Sequence, residues 1–226
     1  MTKNDVKITR CKDKNEASQK ALDLLITSVD SNTLLLLSGG ASPDLLYQLI
    51  VQDNTLRPGA VALIDERFGV PMHDNSNEKM IAGTGLLAYI NNEGIPFYGI
   101  LKNSDMEIAA RAYEQITKDL FRKFSKKIAI MGIGSDGHTA GIKPDLEYNH
   151  ARWVVAYDDT AGSFGKRVTL TFEALSEIDE FTILVFGENK KEAFEKMFEE
   201  SDEKKVPMAF YTNHPTKSTI LTTLEA

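Results

Sequence analysis

The chain has 226 residues, of which 42% are hydrophobic and 26% charged, with a formal net charge of −7. The length suffices for one large α/β domain spanning residues 1–226, and an acidic balance without a basic stripe argues against nucleic acid as a partner. Cys11 is the one cysteine, which excludes an intrachain disulfide framework, and no run reaches transmembrane length. The opening Met-Thr-Lys-Asn-Asp-Val-Lys has no apolar signal core, so the expectation is a cytoplasmic protein without a membrane partner.

Apolar periodicity predicts a helix from about Glu16 to Val29, with Ala17, Ala21, Leu24 and Leu25 on one face. Thr33 to Leu37 reads as a buried strand ending at Ser38-Gly39-Gly40, and Ser42-Pro43 reads as the cap and first turn of the next helix. Ala60 to Ile64 is a second strand, ending at Asp65-Glu66-Arg67. Ser104 to Glu107 has the capping-box pattern and opens a helix with Ala109, Ala112, Ile116 and Leu120 facing inward. Further strands are expected at Ile128 to Met131, Trp153 to Tyr157, Val168 to Leu170 and Phe181 to Phe186. The last runs into Gly187-Glu188-Asn189-Lys190 and a helix reaching about Glu200. Such alternation predicts an α/β fold: an open, mostly parallel sheet with helices on both faces.

Four polar clusters each follow an apolar strand, and the carboxyl edge of a parallel sheet is where ligand crevices form. Ser38-Gly39-Gly40 before a helix suits an anion, because free amides and the positive helix end both attract phosphate. Asp65-Glu66-Arg67 gathers three charges, which read either as a site or as a solvated loop with a local ion pair. Gly132-Ile133-Gly134-Ser135-Asp136-Gly137 formally matches the dinucleotide fingerprint, with Asp158 further on as the ribose acid. Pro144 and the mid-chain position weigh against that reading, as does Asp136 standing where a pyrophosphate would approach. His138, two residues after Asp136 in a glycine-dense turn, reads instead as a general base. Arg167 begins a half-polar strand as an edge residue or a phosphate fork, and Lys190 opens a helix beside Lys191. His73, His150 and His214 lack ligand spacing, so no metal site is expected.

Taken in order, these blocks resemble the family shared by 6-phosphogluconolactonases and glucosamine-6-phosphate deaminases. The resemblance is carried by Leu37 to Pro43 with Leu46-Tyr47, then Asp65-Glu66-Arg67 with Val70-Pro71 and Ser76-Asn77. It continues through Gly132 to Ala140, Arg167 to Thr171, and Gly187 with Lys190. It implies a Rossmann-like fold and cofactor-free hydrolysis of 6-phosphogluconolactone, a small phosphorylated sugar lactone, in the oxidative pentose phosphate pathway.

The implied catalytic residues are His138, Asp136 and Asp65. The implied substrate-binding residues are Ser38, Gly39, Gly40, Arg67, Gly134, Arg167 and Lys190. The deaminase branch carries a glutamate five residues after the histidine, where this chain has Lys143; lactonases usually have an apolar residue there. The Phe68-Gly69-Val70-Pro71 spacing is closer to the deaminase pattern. A deaminase-like enzyme and a non-catalytic sugar-phosphate binder are the alternative readings.

Overall fold

The computed structural model describes residues 6–160 and 165–225. In chain order the elements begin with β1 (Val6–Arg10), α1 (Lys14–Ser28), β2 (Thr33–Leu37), α2 (Asp44–Asp53), β3 (Ala60–Leu63) and β4 (Asp65–Arg67). Next come α3 (Asn77–Gly83), α4 (Leu86–Asn92), β5 (Phe97–Tyr98), α5 (Met106–Lys123), β6 (Lys126–Gly132) and β7 (Val154–Asp159). The chain continues through β8 (Gly165–Leu170), α6 (Phe172–Leu175), β9 (Glu180–Val185), α7 (Lys191–Glu199), α8 (Phe210–Asn213) and β10 (Lys217–Thr222).

Seven strands form one parallel sheet in the order β1-β10-β9-β6-β2-β3-β5. Its central strands are unbroken apolar runs, because a parallel strand is covered on both faces; every residue of β2 and β3 is buried. Strand order runs one way from β2 through α2 to β3, and the opposite way from β9 through α7 to β10. Right-handed crossovers taken in opposite directions put their helices on opposite faces. The α2 layer includes α1, α3 and α4, all of which touch α2. Between β2 and β6 the direction reverses, and the carboxyl ends there define the crevice where such sheets take ligands.

One sequence expectation needs correction. Trp153 to Tyr157, Val168 to Leu170 and Asp65 to Arg67 do not join the parallel sheet or follow it as a loop. They build a second, antiparallel sheet in the order β4-β8-β7. Ile64 is the junction: its N–H bonds the carbonyl of Leu37 in the large sheet, and its carbonyl accepts from Leu170 N–H in the small one. Arg167 therefore lies in the central strand of the small sheet, not on an edge.

Two caps and one helix face also differ. Asp105, rather than Ser104, caps α5 by accepting from the Ile108 amide. The inward face of that helix carries Tyr113, Thr117 and Leu120 after Ala109, while Ala112 is exposed. Ser42 does not cap α2; the cap is Pro43, and the Ser42 hydroxyl is engaged elsewhere.

Candidate active site

Strand register decides which side chains of the small sheet reach the crevice. In β4–β8 pairing, Asp65 opposes Thr169 and Arg67 opposes Arg167, so these four share one face. Glu66, on the other face, is fully buried and accepts four hydrogen bonds. Its Oε1 takes the amides of Arg67 (2.7 Å) and Asn77 (2.6 Å), and its Oε2 takes the Ser76 hydroxyl and the Glu78 amide, both at 2.9 Å. Burial pushes the Glu66 pKa up and these donors oppose the push. The donor set suits a carboxylate at the start of α3, where the helix end favours negative charge. Glu66 thus ties Arg67 to Asn77.

The large sheet supplies the opposite wall. Tyr47, buried in α2, donates its hydroxyl to the Ser38 carbonyl at 2.7 Å and fixes the end of β2. Gly39 passes so close to Asn77 that an added Cβ would lie 1.8 Å from Oδ1, so any larger residue would have to displace the Asn77 amide. Lys190 Nζ donates to Ser42 Oγ at 3.0 Å, which brings the segment after β9 to the segment after β2. Burial, and then the nearby Lys14, lower the pKa of Lys190.

After β6 the chain turns at Gly134–Gly137, closed by bonds from Gly134 N–H to the His138 carbonyl (2.9 Å) and from Gly137 N–H to the Gly134 carbonyl (3.2 Å). The imidazole folds back over Gly134: a Cβ there would stand 2.0 Å from His138 Nδ1 and 2.5 Å from Asp136 Oδ1. His138 Nδ1 meets Asp136 Oδ1 at 2.5 Å. The hydrogen bond with His138 holds the Asp136 carboxyl well below the usual carboxylate range, so Asp136 is an ionised acceptor. The proton of the neutral ring then sits on Nδ1, and Nε2 keeps its lone pair. No helix follows this turn; it leads into short bridges at Thr139 and Ile142. The fingerprint's pyrophosphate-binding helix end is therefore missing, and the dinucleotide reading falls.

These walls enclose a cavity of about 230 Å³. Nine of the ten residues singled out from the sequence line it: Ser38, Gly39, Gly40, Asp65, Arg67, Gly134, His138, Arg167 and Lys190. Asp136 is the tenth; it stands behind the imidazole instead of on the wall. Lys191, the alternative to Lys190, does not line the cavity, and neither does Lys143.

Asn77 and Ser42 line the cavity as well, and sequence reasoning gave neither a site role. The signal for Asn77 lay in Ser76, which caps α3 and so fixes the next residue at a helix start. Ser38 Oγ and Asn77 Oδ1 are buried at the wall with no hydrogen-bond partner among the described residues. Buried polar atoms of that kind are rare and mark places where a polar ligand or water is bound. Among the described residues no group of His, Cys, Asp and Glu is arranged to hold a metal ion. Also among them, no helix is long and apolar enough to cross a membrane.

A profile of the family described as glucosamine-6-phosphate isomerases/6-phosphogluconolactonase matches residues 12–221. The chain belongs to this family. Its relatives include a 6-phosphogluconolactonase of Nostoc sp., 26% identical over 196 residues that cover 79% of each chain. Another is a glucosamine-6-phosphate deaminase of Listeria monocytogenes, 23% identical over 227 residues, or 90% of this chain and 92% of that one. Among solved structures, a 6-phosphogluconolactonase from Shewanella baltica superposes with a TM-score of 0.81, covering 98% of both chains at 20% identity. Both branches of the family thus align with nearly the whole fold.

Proposed function

We propose that this protein is a 6-phosphogluconolactonase, hydrolysing 6-phospho-D-glucono-1,5-lactone to 6-phospho-D-gluconate. The observation that carries the reading is an imidazole oriented by Asp136 in the same cavity as Arg67, Arg167 and Lys190. A lactone carbonyl needs a deprotonated water, and a phosphoryl group needs fixed cations at the far end of the molecule. This cavity offers both.

In this reading His138 Nε2 takes a proton from water as the water oxygen bonds the lactone C1. The carbonyl π electrons move onto oxygen, and the Arg67 guanidinium stabilises that oxyanion, since the Gly134 and Gly137 amides are spent closing the turn. Collapse of the tetrahedral intermediate breaks the bond from C1 to the ring oxygen. The imidazolium returns its proton to that oxygen, which leaves as a hydroxyl; the new acid ionises in water. Asp136 stabilises the imidazolium in between. The phosphoryl group lies against the Gly39 and Gly40 amides, Arg167 and Lys190, which hold C1 near the imidazole, while the Ser38 amide is held by the Ile130 carbonyl at 3.1 Å. Asp65, with Asn77 and Ser38, accepts or donates hydrogen bonds to the sugar hydroxyls.

Lys143 argues for the lactonase branch over the deaminase branch. It stands where the resemblance expects a deaminase glutamate, and it is bonded to Asp159 away from the cavity wall. The test follows decay of freshly generated lactone, with 6-phosphogluconate dehydrogenase reporting product. Acceleration above the spontaneous rate is expected. Release of ammonia from glucosamine 6-phosphate, with no effect on the lactone, would replace this reading with the deaminase one.

A further inference from the structure

Three charges in a row connect the loop after the active-site turn to the cavity wall. Lys143 Nζ donates to Asp159 Oδ1 at 2.8 Å, and Arg167 Nε donates to Asp159 Oδ2, also at 2.8 Å. The side chains of Asp159 and Arg167 are 3% and 5% exposed, and that of Lys143 is 22% exposed. Register explains the alignment. Tyr157 pairs with Arg167 and Asp159 with Gly165, so Asp159 stands on the same sheet face as Arg167, at its rim. Tyr157 also bonds the Gly141 carbonyl at 2.6 Å, and Gly141 N–H bonds Thr169 Oγ1 at 2.8 Å. The loop carrying Lys143 is therefore pinned to this small sheet at two further points.

The arrangement has an electrostatic consequence. Asp159 anchors Arg167, but a carboxylate at 2.8 Å also cancels the charge it anchors. Lys143 takes the other oxygen of the same carboxylate and restores a net charge of +1 to the three groups. Neither Lys143 nor Asp159 lines the cavity, whereas Arg167 does.

We propose that Lys143 is a positioning residue for anion binding: through Asp159 it keeps the Arg167 guanidinium both fixed and electrostatically effective toward the phosphoryl group of the ligand. The proposal rests on Arg167 facing that group, as in the function proposed above.

The experiment measures binding of 6-phosphogluconate and of inorganic phosphate by calorimetry, for wild type, Lys143→Met, Lys143→Arg and the double variant Lys143→Met/Asp159→Asn. Circular dichroism and thermal melts check that each variant is folded. Lys143→Met should weaken both ligands about tenfold and raise KM with kcat little changed. Lys143→Arg should retain affinity. The double variant should recover most of it, since removing the carboxylate charge removes the need for the lysine; a purely structural role for Lys143 predicts further loss instead. Wild-type affinity in Lys143→Met would overturn the proposal, as would failure of wild type to bind phosphate at all. If wild type binds phosphate but neither turns over the lactone nor binds 6-phosphogluconate, the lactonase reading fails. A loss of phosphate affinity in Lys143→Met would still support the lysine's role.

Discussion

Arg67 in β4 and Arg167 in β8 stand directly opposite each other across an antiparallel pair, with both side chains at the cavity. Like charges in that relationship repel by up to ~1 kcal/mol. Two pins hold them in place: Asp159 on Arg167 Nε at 2.8 Å, and the Asn75 carbonyl on the Arg67 guanidinium at 2.9 Å. An anionic ligand between them relieves the repulsion. Arg67→Met should therefore weaken 6-phosphogluconate by about 10–100-fold, the range of a charge-assisted hydrogen bond. The melting temperature of the free protein should stay level or rise slightly. Calorimetry and a thermal melt on the same sample check both halves.

Gly134 tests how tightly the turn is built. A Cβ at this position would lie 2.0 Å from His138 Nδ1, and a ring cannot remain there. Gly134→Ala should displace the imidazole by an ångström or so and cost about 100-fold in turnover, a usual penalty for a misplaced catalytic group. Binding of 6-phosphogluconate should suffer much less, because the proposed phosphate subsite lies on other walls. Equal losses in kcat and affinity would mean that the turn also holds the phosphate.

Glu66 bears on stability more than on chemistry. Four donors converge on its buried carboxylate, and Glu66→Ala would leave them without partners inside the protein. A cost of about 3 kcal/mol or more follows from stranding buried donors. A denaturant titration reads it directly. Arg67 and Asn77 share this anchor, so activity should fall in the variant even where it remains folded.

Lys190 is expected to set the alkaline limit of ligand binding. Its pKa is lowered by burial, then by Lys14, so it gives up its proton at a lower pH than an ordinary lysine near ~10.4. The cation is lost as pH rises through that lowered value. Affinity for 6-phosphogluconate should therefore decline on the alkaline side before an ordinary lysine would titrate. Lys190→Arg, which keeps its charge, should flatten the decline. A wild-type affinity that stays constant over that interval would contradict the assignment.

The large sheet was legible because its central strands are continuous apolar runs, which only a strand covered on both faces requires. β10 was not, although it lies inside the sheet: Lys-Ser-Thr-Ile-Leu-Thr buries Ser218 and Thr222 and so hides among polar residues. The small sheet was misread for a related reason. Asp65-Glu66-Arg67 has the composition of a loop, and its strand character comes from pairing with Val168 and its neighbours more than a hundred residues away. The lining of the cavity was legible as well, since its side chains cluster at strand ends in short motifs. Asn77 escaped because its place depends on Gly39 and Glu66, both remote in sequence. Lys143 was visible as a departure from the family pattern; its partner Asp159 became visible only through the register of β7 and β8.

The role proposed for His138, oriented by Asp136, is that of the base that activates water. It is tested most directly by comparing wild type with His138→Gln on freshly generated 6-phosphogluconolactone, with 6-phosphogluconate affinity measured alongside. A fall of about 100-fold or more in catalysed lactone decay is expected, the contribution of a positioned general base, with affinity nearly retained. A His138→Gln enzyme that turns over the lactone as fast as wild type would contradict it.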